Sequence, residues 1–325
     1  MPKKKLTAAT DVSKINIDPR FVERYKMILG DSYDTFFEYS MRPLKKAIRV
    51  NTLKTDIDSF KRSLPKEWEV EKVPWCDEGF WIRNAEEERF DIGNLLEHPL
   101  GYIYVQDPAS MIPPVVLDAQ PGEMVLDMCA APGSKTTQIA QGMKNRGTVI
   151  ANDNMPDRLK MLEMNVRRLG IQNVIITQSP GTNLRRLEKK GMYFDKVLLD
   201  APCSGSGTIR KSYRTVTDYS YNFVKKMSQT QKRLILTAFD MLKVGGTLVY
   251  STCTLEPEED EEVITYLLNE RDSARIESID LPLKSSKPFY SFEGKEFHED
   301  IGKSLRIYPQ DNDTEGFFVA KITKK

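Results

Sequence analysis

The chain is poor in the residues that build metal centres and disulfide frameworks. Among 325 residues there are four cysteines, Cys76, Cys129, Cys203 and Cys253, and two histidines. No two of the cysteines have metal-ligand spacing, so no metal is expected. A disulfide framework does not suit so long a chain with no export signal, and the thiols are expected to be reduced, in a cytoplasm. Also missing is any run of about 18 apolar residues, which leaves no candidate membrane span. The opening MPKKKLTAATDVSK is basic without an apolar core; that excludes a secretory signal and reads as a solvated tail. Excess charge of either sign is lacking too. With 48 Lys and Arg against 47 Asp and Glu, the net charge is +1, so a nucleic-acid partner would have to be held by local basic patches.

What is present is ample core material. Hydrophobic residues make up 40% of the chain, enough for two domains. The pattern changes near residues 105 to 115. Upstream, Asp18 to Ser40 reads as helices, KAIRVNTL (Lys46 to Leu53) as a strand and DIDSFKRSL as a short helix. WEVEKVPW and GFWIRN read as further strands, giving a small α+β unit. Downstream, EMVLDM, TVIAND, NVIIT, DKVLLD and GTLVYST read as strands alternating with helices. The helix after TVIAND starts at Pro156, aligns Leu159, Leu162, Val166 and Leu169, and stops at Gly170. The helix before GTLVYST is expected to end near Gly245 and Gly246. Runs such as Val197-Leu198-Leu199 do not alternate, as expected of strands covered on both faces. Alternation of this kind builds a parallel, doubly wound sheet, closed here by SLRIYP and EGFFVAKI as an antiparallel pair around DNDT.

Three stretches carry chemistry. In VLDMCAAPGSKTT (Val125 to Thr137) a strand enters a loop of small residues and then a helix. The loop lacks both GxGxxG and the P-loop pattern, so a pyrophosphate is not implied. An adenosyl ligand without one would fit, with Asp153 at the end of the next strand to take ribose hydroxyls. An ordinary tight turn remains the alternative. Lys135 sits in the first helical turn, where a cation opposes the helix dipole at a cost of about 0.3–1 kcal/mol. It points either to solvent or into a site. LLDAPCSGSG (Leu198 to Gly207) and VYSTCTLEPEED (Val249 to Asp260) place Cys203 and Cys253 at strand ends on the same rim. Both could be small buried hydrophobes. For Cys253, the acidic stretch from Glu256 reads as a helix start with Pro257 in its first turn. A helix amino-terminus favours thiolate, while the acids oppose it.

A methyl donor, a thiol and a carboxyl group together suit carbon 5 of cytosine, which is too weak a nucleophile to be methylated directly. A thiolate adding to carbon 6 makes carbon 5 nucleophilic, and a carboxylic acid at ring nitrogen 3 stabilises the adduct. CAAPGSKT, LLDAPCSGSG and YSTCTLEPEEDE, with AIRVNTL, GYIYVQDPAS and EGFFVAKI, resemble the RsmB/Nop (Nop/Sun) family of RNA cytosine-5 methyltransferases from about residue 20 onward. The resemblance implies a Rossmann-like class I methyltransferase sheet over residues 111–325, preceded by a small α+β RNA-positioning domain over residues 1–110. It makes Cys253 the nucleophile and Cys203 the thiol that helps release product; Asp200 contacts the base, and Lys135 lies at the site. S-adenosyl-L-methionine would be held by Cys129, Ala130, Ala131, Pro132, Gly133, Ser134 and Lys135, with Asp153, Arg158 and Asp200. One departure is Pro180, where the family usually has an acid for the adenine amino group; a proline offers only its carbonyl.

The target base must be unpaired or flipped out. RPLKKAIR offers Arg42, Lys45, Lys46 and Arg49, and RKSYR offers Arg210, Lys211, Tyr213 and Arg214, for phosphate contact and stacking. A solvated charged face is the alternative for each patch. The expected activity is methylation of cytosine carbon 5 in tRNA or rRNA, with a lean to tRNA. The rivals are a catalytically weak RNA-binding assembly factor that keeps the fold, and a methyltransferase for protein or a small molecule.

Overall fold

A computed structural model describes residue 6 and residues 10–85 and 91–325. Residues 1–5 and 7–9 of the expected solvated tail lie outside these residues; the described part corrects that expectation, since Leu6 is buried in a core cluster and Val12 packs against it. The chain begins with α1 (Pro19–Leu29) and α2 (Tyr33–Ser40). Asp18 caps α1 by accepting from the Arg20 N–H, and Pro19 occupies the first turn. Next come β1 (Ala47–Val50), α3 (Ile57–Ser63), β2 (Trp68–Lys72), β3 (Gly79–Asn84) and β4 (Ile103–Val105). The four strands form an antiparallel sheet in the order β2-β3-β1-β4. Sequence reading missed β4 and the following α4 (Pro108–Leu117), because α4 carries Pro113 and Pro114 inside it. α4 runs across the boundary expected at residues 110 and 111, and it packs on α5, β8, β9 and β14, defined below.

The large sheet is built from β5 (Met124–Asp127), α5 (Ser134–Gly142), β6 (Thr148–Asp153), α6 (Pro156–Leu169), β7 (Val174–Gln178), α7 (Arg185–Glu188) and β8 (Phe194–Asp200). It continues through α8 (Arg214–Thr217), α9 (Tyr221–Asp240), β9 (Leu242–Thr252), α10 (Glu261–Glu270) and β10 (Ala274–Glu277). A two-stranded hairpin of β11 (Ser291–Phe292) and β12 (Lys295–Glu296) precedes β13 (Leu305–Ile307), α11 (Pro309–Asn312) and β14 (Phe317–Lys324). The order is β10-β14-β9-β8-β5-β6-β7, with β13 on β14. Strands β5 to β9 pair in parallel, while β14 runs antiparallel to β9, β10 and β13. Strand order reverses between β5 and β8, and a ligand crevice opens off the carboxyl ends there. Those ends carry Asp127 and Asp200, and on neighbouring β9, Thr252 followed by Cys253.

Successive strand residues feed opposite faces. Val125, Leu198 and Val249 join α4, α5 and α6 on one side; Leu126, Leu199 and Tyr250 join α9 and α10 on the other. A third cluster packs Phe21, Tyr25 and Phe36 of α1 and α2 against Ile209, Val216, Leu255 and Tyr308. The first two helices are therefore fastened to the second half of the chain. The junction of α9 and β9 differs from expectation: α9 ends at Asp240, and Gly245 and Gly246 lie inside β9. The pairing jumps from Phe194–Leu242 to Lys196–Thr247, so the intervening residues bulge, and Gly245 supplies the positive φ of 80° the bend needs. Among the described residues no helix is long and apolar enough to cross a membrane, and no group of three or more His, Cys, Asp or Glu could hold a metal.

Candidate active site

Beyond β5 the loop from Cys129 to Gly133 is tied down by β6 and α6. The Ala130 N–H donates to the Asn152 carbonyl at 2.7 Å, and the Asn165 side-chain amide donates to the Pro132 carbonyl at 2.9 Å. Asp153 accepts from the Ala131 N–H at 3.2 Å and the Met155 N–H at 3.0 Å, and it pairs with Arg158 at 3.3 Å. Arg158 also donates to the Ala131 carbonyl. A cavity of about 380 Å³ lies on this loop, lined by Cys129, Ala130, Ala131, Pro132, Ser134, Lys135, Arg158, Asp200 and Cys253. Gly133 and Asp153 stand behind the wall. A Cβ on Gly133 would meet Leu162 at 2.7 Å, so that glycine serves helix packing. A larger cleft of about 500 Å³ between Trp75, Pro114 and Pro282 contains none of the expected site residues.

Lys135 points inward. It is 8% exposed, and its Nζ lies 2.7 Å from Asp200 Oδ2 and 3.0 Å from Ser110 Oγ, above the Phe317 ring. Ser251 Oγ donates to the other Asp200 oxygen at 2.8 Å. The two thiols meet: Cys203 Sγ and Cys253 Sγ are 3.3 Å apart. Cys253 is on the cavity wall and Cys203 behind it. The hydrogen bond to Cys253, together with burial, pushes the Cys203 thiol well above its ordinary value. The loops that carry them are fastened together. The Gly207 N–H donates to the Cys253 carbonyl at 3.0 Å, and the Gly316 N–H to the Gly207 carbonyl at 2.9 Å. A Cβ on Gly207 would sit 2.4 Å from the Gly316 oxygen, so only glycine allows this approach. Thr254 Oγ1 contacts Ser204 Oγ at 2.8 Å and Ser206 Oγ at 2.7 Å.

The expected helix start after Cys253 is corrected. α10 begins at Glu261, and residues 257–260 form turns, so no helix amino-terminus lies next to the thiol. The acids are buried rather than capping. Glu256 accepts from Arg24 at 3.1 Å and Tyr219 at 3.2 Å; Glu258 accepts from Arg24 at 2.6 Å; Glu259 accepts from the Ser204 N–H at 3.0 Å. Asp260 and Glu261 pair with Arg306, which is wholly buried.

Two of the expected phosphate contacts are also corrected. Arg49 is 1% exposed and bonded to Gln106 at 3.1 Å, Thr137 at 2.9 Å and Gln141; it welds β1 to α5. Arg210 is 3% exposed and donates to the Arg42 and Pro43 carbonyls and to Asp313. A buried, saturated guanidinium cannot grip a phosphate. By contrast, Arg42, Lys45 and Lys46 are exposed, with Lys45 2.9 Å from Asp313 and Arg42 beside Glu38. Lys211 is exposed and lines the cavity, and its Nζ lies 3.5 Å from Glu315, which holds the ammonium above its ordinary value. Tyr213 packs under α1 and α2, and Arg214 pairs with Asp218 at 3.3 Å. Pro180 does not line the cavity, and its carbonyl already accepts from the Asn183 N–H at 2.8 Å.

Sequence reading missed Asp107, Asp127 and Glu315, all on the cavity wall. Asp127 could have been noticed as an acid closing the first strand. Its Oδ2 accepts from Thr136 at 2.6 Å, while its buried Oδ1 has no hydrogen-bond partner among the described residues. Burial pushes this carboxyl up to about 7. An unfilled acceptor on a wall of small residues suits an amine or a sulfonium, and thus fits S-adenosyl-L-methionine.

A doubly wound sheet with its cavity at the reversal of strand order, a small-residue loop after the first strand and an acid closing the second defines an S-adenosyl-L-methionine-dependent methyltransferase. The family model described as 16S rRNA methyltransferase RsmB/F matches residues 114–323, and that for the N-terminal domain of 16S rRNA methyltransferase RsmF matches residues 17–108. The chain belongs to this RsmB/F family of RNA cytosine-5 methyltransferases, as its motifs implied. It is 46% identical to a tRNA (cytosine(49)-C(5))-methyltransferase of Pyrococcus abyssi, over 95% of this chain and 96% of that one. It is 43% identical to the ribosomal RNA small subunit methyltransferase F of Aliivibrio salmonicida, over 90% of this chain but 60% of that longer protein. Among solved structures, a methyltransferase homolog from Pyrococcus horikoshii matches with a TM-score of 0.82 at 40% identity, covering 94% of this chain and 95% of that one. NSun6 from Pyrococcus horikoshii with SFG matches with a TM-score of 0.82 at 25% identity, covering 94% and 98%.

Proposed function

We propose that this protein, in a reducing cytoplasm, methylates carbon 5 of a cytosine in tRNA, with Cys253 as the nucleophile. The observation that carries the reading is the placement of the Cys253 thiol on the same cavity wall as the Lys135–Asp200 pair, with Cys203 at 3.3 Å. Cys253 adds to carbon 6 of the ring. Asp200, its plane fixed by Lys135 and Ser251, meets ring nitrogen 3, and Lys135 is the proton reservoir on which Asp200 draws as the ring gains electrons. Carbon 5 then becomes electron-rich enough to take a methyl group. The wall from Cys129 to Lys135, with Arg158 and Asp127, would hold S-adenosyl-L-methionine, which when bound supplies an electrophilic methyl on a positively charged sulfur. Cys203 hydrogen-bonds the Cys253 sulfur as it leaves carbon 6.

Residues 1–110 position the RNA, with Arg42, Lys45 and Lys46 toward its phosphates and Lys211 at the cavity. The 46% identity to the relative named for tRNA, over 96% of that protein, supports tRNA over rRNA. A weakly active assembly factor is the second reading; it draws on Pro180, which supplies no side-chain acceptor for adenine.

The test is methyl transfer to tRNA and to 16S rRNA transcripts, read by bisulfite sequencing. Wild-type protein should mark a tRNA cytosine. Cys253→Ala should lose all transfer, and Cys203→Ala should accumulate a denaturant-resistant protein–RNA adduct. Retained turnover in Cys253→Ala refutes the assignment of the nucleophile.

A further inference from the structure

Once carbon 5 bears the methyl group, its hydrogen has to leave before the thiol can. Cys203 is a poor acceptor for that proton. Its thiol is already raised well above its ordinary value beside Cys253, and it stands behind the wall. Four carboxylates line the cavity; Asp127 and Asp200 already serve the donor and the ring, which leaves Asp107 and Glu315. Asp107 caps α4: its Oδ1 accepts from the Ala109 N–H at 2.9 Å, and its buried Oδ2 has no hydrogen-bond partner among the described residues. Glu315, just before β14, is 3% exposed, with Oε1 likewise unpartnered among the described residues and Oε2 3.5 Å from Lys211 Nζ. Lys211, Glu315, Asp107 and Cys253 all line this one cavity. One helical turn beyond Asp107, Ser110 Oγ accepts from Lys135, the partner of Asp200. Asp107 therefore lines the same cavity as Cys253 and starts the helix whose Ser110 holds Lys135.

We infer that Asp107 is the base that takes the carbon-5 proton, with Glu315 and Lys211 setting the charge around it. The inference rests on the cytosine-5 reading of the same site. Asp107 Oδ2 accepts the proton. The carbon–hydrogen electron pair becomes the carbon 5–carbon 6 double bond, and the bond from carbon 6 to Cys253 Sγ breaks. The sulfur leaves as thiolate, stabilised by the Lys211 ammonium and the Cys203 thiol. Asp107 then returns its proton to water. Burial first, and Glu315 second, push the Asp107 carboxyl up to about 7, against the pull of Lys211 and Arg210. A base of that strength is matched to a neutral working pH.

The test uses full-length protein with tRNA labelled with tritium at cytosine carbon 5 and a methyl-labelled donor. It measures methyl incorporation and tritium release in a single turnover. In wild-type protein the two should keep pace, and absence of both there would sink the cytosine-5 reading itself rather than this inference. Asp107→Asn keeps a capping side chain. It should place the methyl group in a covalent protein–RNA complex and slow tritium release by about 10²–10⁴-fold, the usual worth of a general base. Tritium release that keeps pace with methyl incorporation in Asp107→Asn overturns the inference. So does loss of methyl incorporation in a folded variant, which would place Asp107 in an earlier step. If Asp107→Asn does not fold, Asp107→Ser also caps the helix and carries no base, and the same ratio decides.

Discussion

Asp127 should be costly to the empty protein and useful to the loaded one. Its carboxyl, ordinarily near 3.8, is pushed up to about 7 by burial first; Thr136 and Lys135 pull it down, and Asp200 and Asp153 push it up. As pH rises through this interval the unfolded chain releases its proton while the folded carboxyl keeps it. The folded state thus binds more protons, and stability falls with pH until Asp127 ionises near 7. Between pH 5 and pH 8 the loss from this one group is about 2.5 kcal/mol, at about 1.4 kcal/mol per pKa unit. Asp127→Asn removes the slope. With an unfolding entropy of roughly 0.7 kcal/mol/K for a chain of this size, its Tm should gain about 4 °C on wild type between pH 5 and pH 8. Asp107, Glu256 and Glu259, also pushed up to about 7, titrate in both proteins and cancel in the comparison. The same variant should bind S-adenosyl-L-methionine about 10–150-fold more weakly, the worth of a hydrogen bond to a charged group. Thermal melts at the two pH values and calorimetric titration with the donor check both halves. A Tm difference that does not change with pH would refute the account of Asp127, whatever happened to affinity.

Removing the Arg306 guanidinium as Arg306→Met leaves Asp260 and Glu261 buried without their cation, which should cost about 3–5 kcal/mol and lower Tm by roughly 4–7 °C; a melt within 1 °C of wild type would show that the acids find water instead. Replacing Arg42, Lys45 and Lys46 together by Ala should flatten the salt dependence of tRNA binding by about 0.7–0.9 in log–log slope for each phosphate no longer neutralised, and an unchanged slope would return these residues to a merely solvated face.

Much of the catalytic half is legible from hydrophobic rhythm alone. β5 to β9 are short apolar runs bounded by small or polar residues, and α6 announces both of its ends with Pro156 and Gly170. The rim shared by Cys203, Cys253 and the Cys129 loop follows from strand order, because parallel strands place their carboxyl ends together. What escaped is what tertiary contact decides. Pro113 and Pro114 argue locally against a helix, yet α4 forms because nearly all of its residues are buried against the sheet. Arg49 and Arg210 look like their basic neighbours in the sequence, and only the fold shows that their donors are spent on Gln106, Thr137 and carbonyl groups. Asp107 and Glu315 stand in two of the stretches that carry the family resemblance, GYIYVQDPAS and EGFFVAKI, yet nothing local marks them as neighbours; they meet because β4 and β14 deliver them to one cavity.

The acidic run after Cys253 shows why such residues mislead. Read in isolation it is a helix start; folded, each acid is claimed by partners distant in sequence. Arg24 of α1 and Tyr219 hold Glu256, Arg24 and Tyr221 hold Glu258, Gln231 of α9 and the Ser204 N–H hold Glu259, and Arg306 of β13 holds Asp260 and Glu261. Burying so many carboxylates is expensive, and Glu256 and Glu259 record the expense in being pushed up to about 7. An apolar loop of the same volume would be cheaper, but apolar contacts have no preferred direction. Hydrogen bonds do. Glu259 reaches the Ser204 N–H beside Cys203 and, through Thr252 and Asp260, the same turn braces the strand end before Cys253. One set of directional bonds thus fixes both sulfur atoms, and a displacement of about 1 Å between them is the scale at which a reacting geometry is lost.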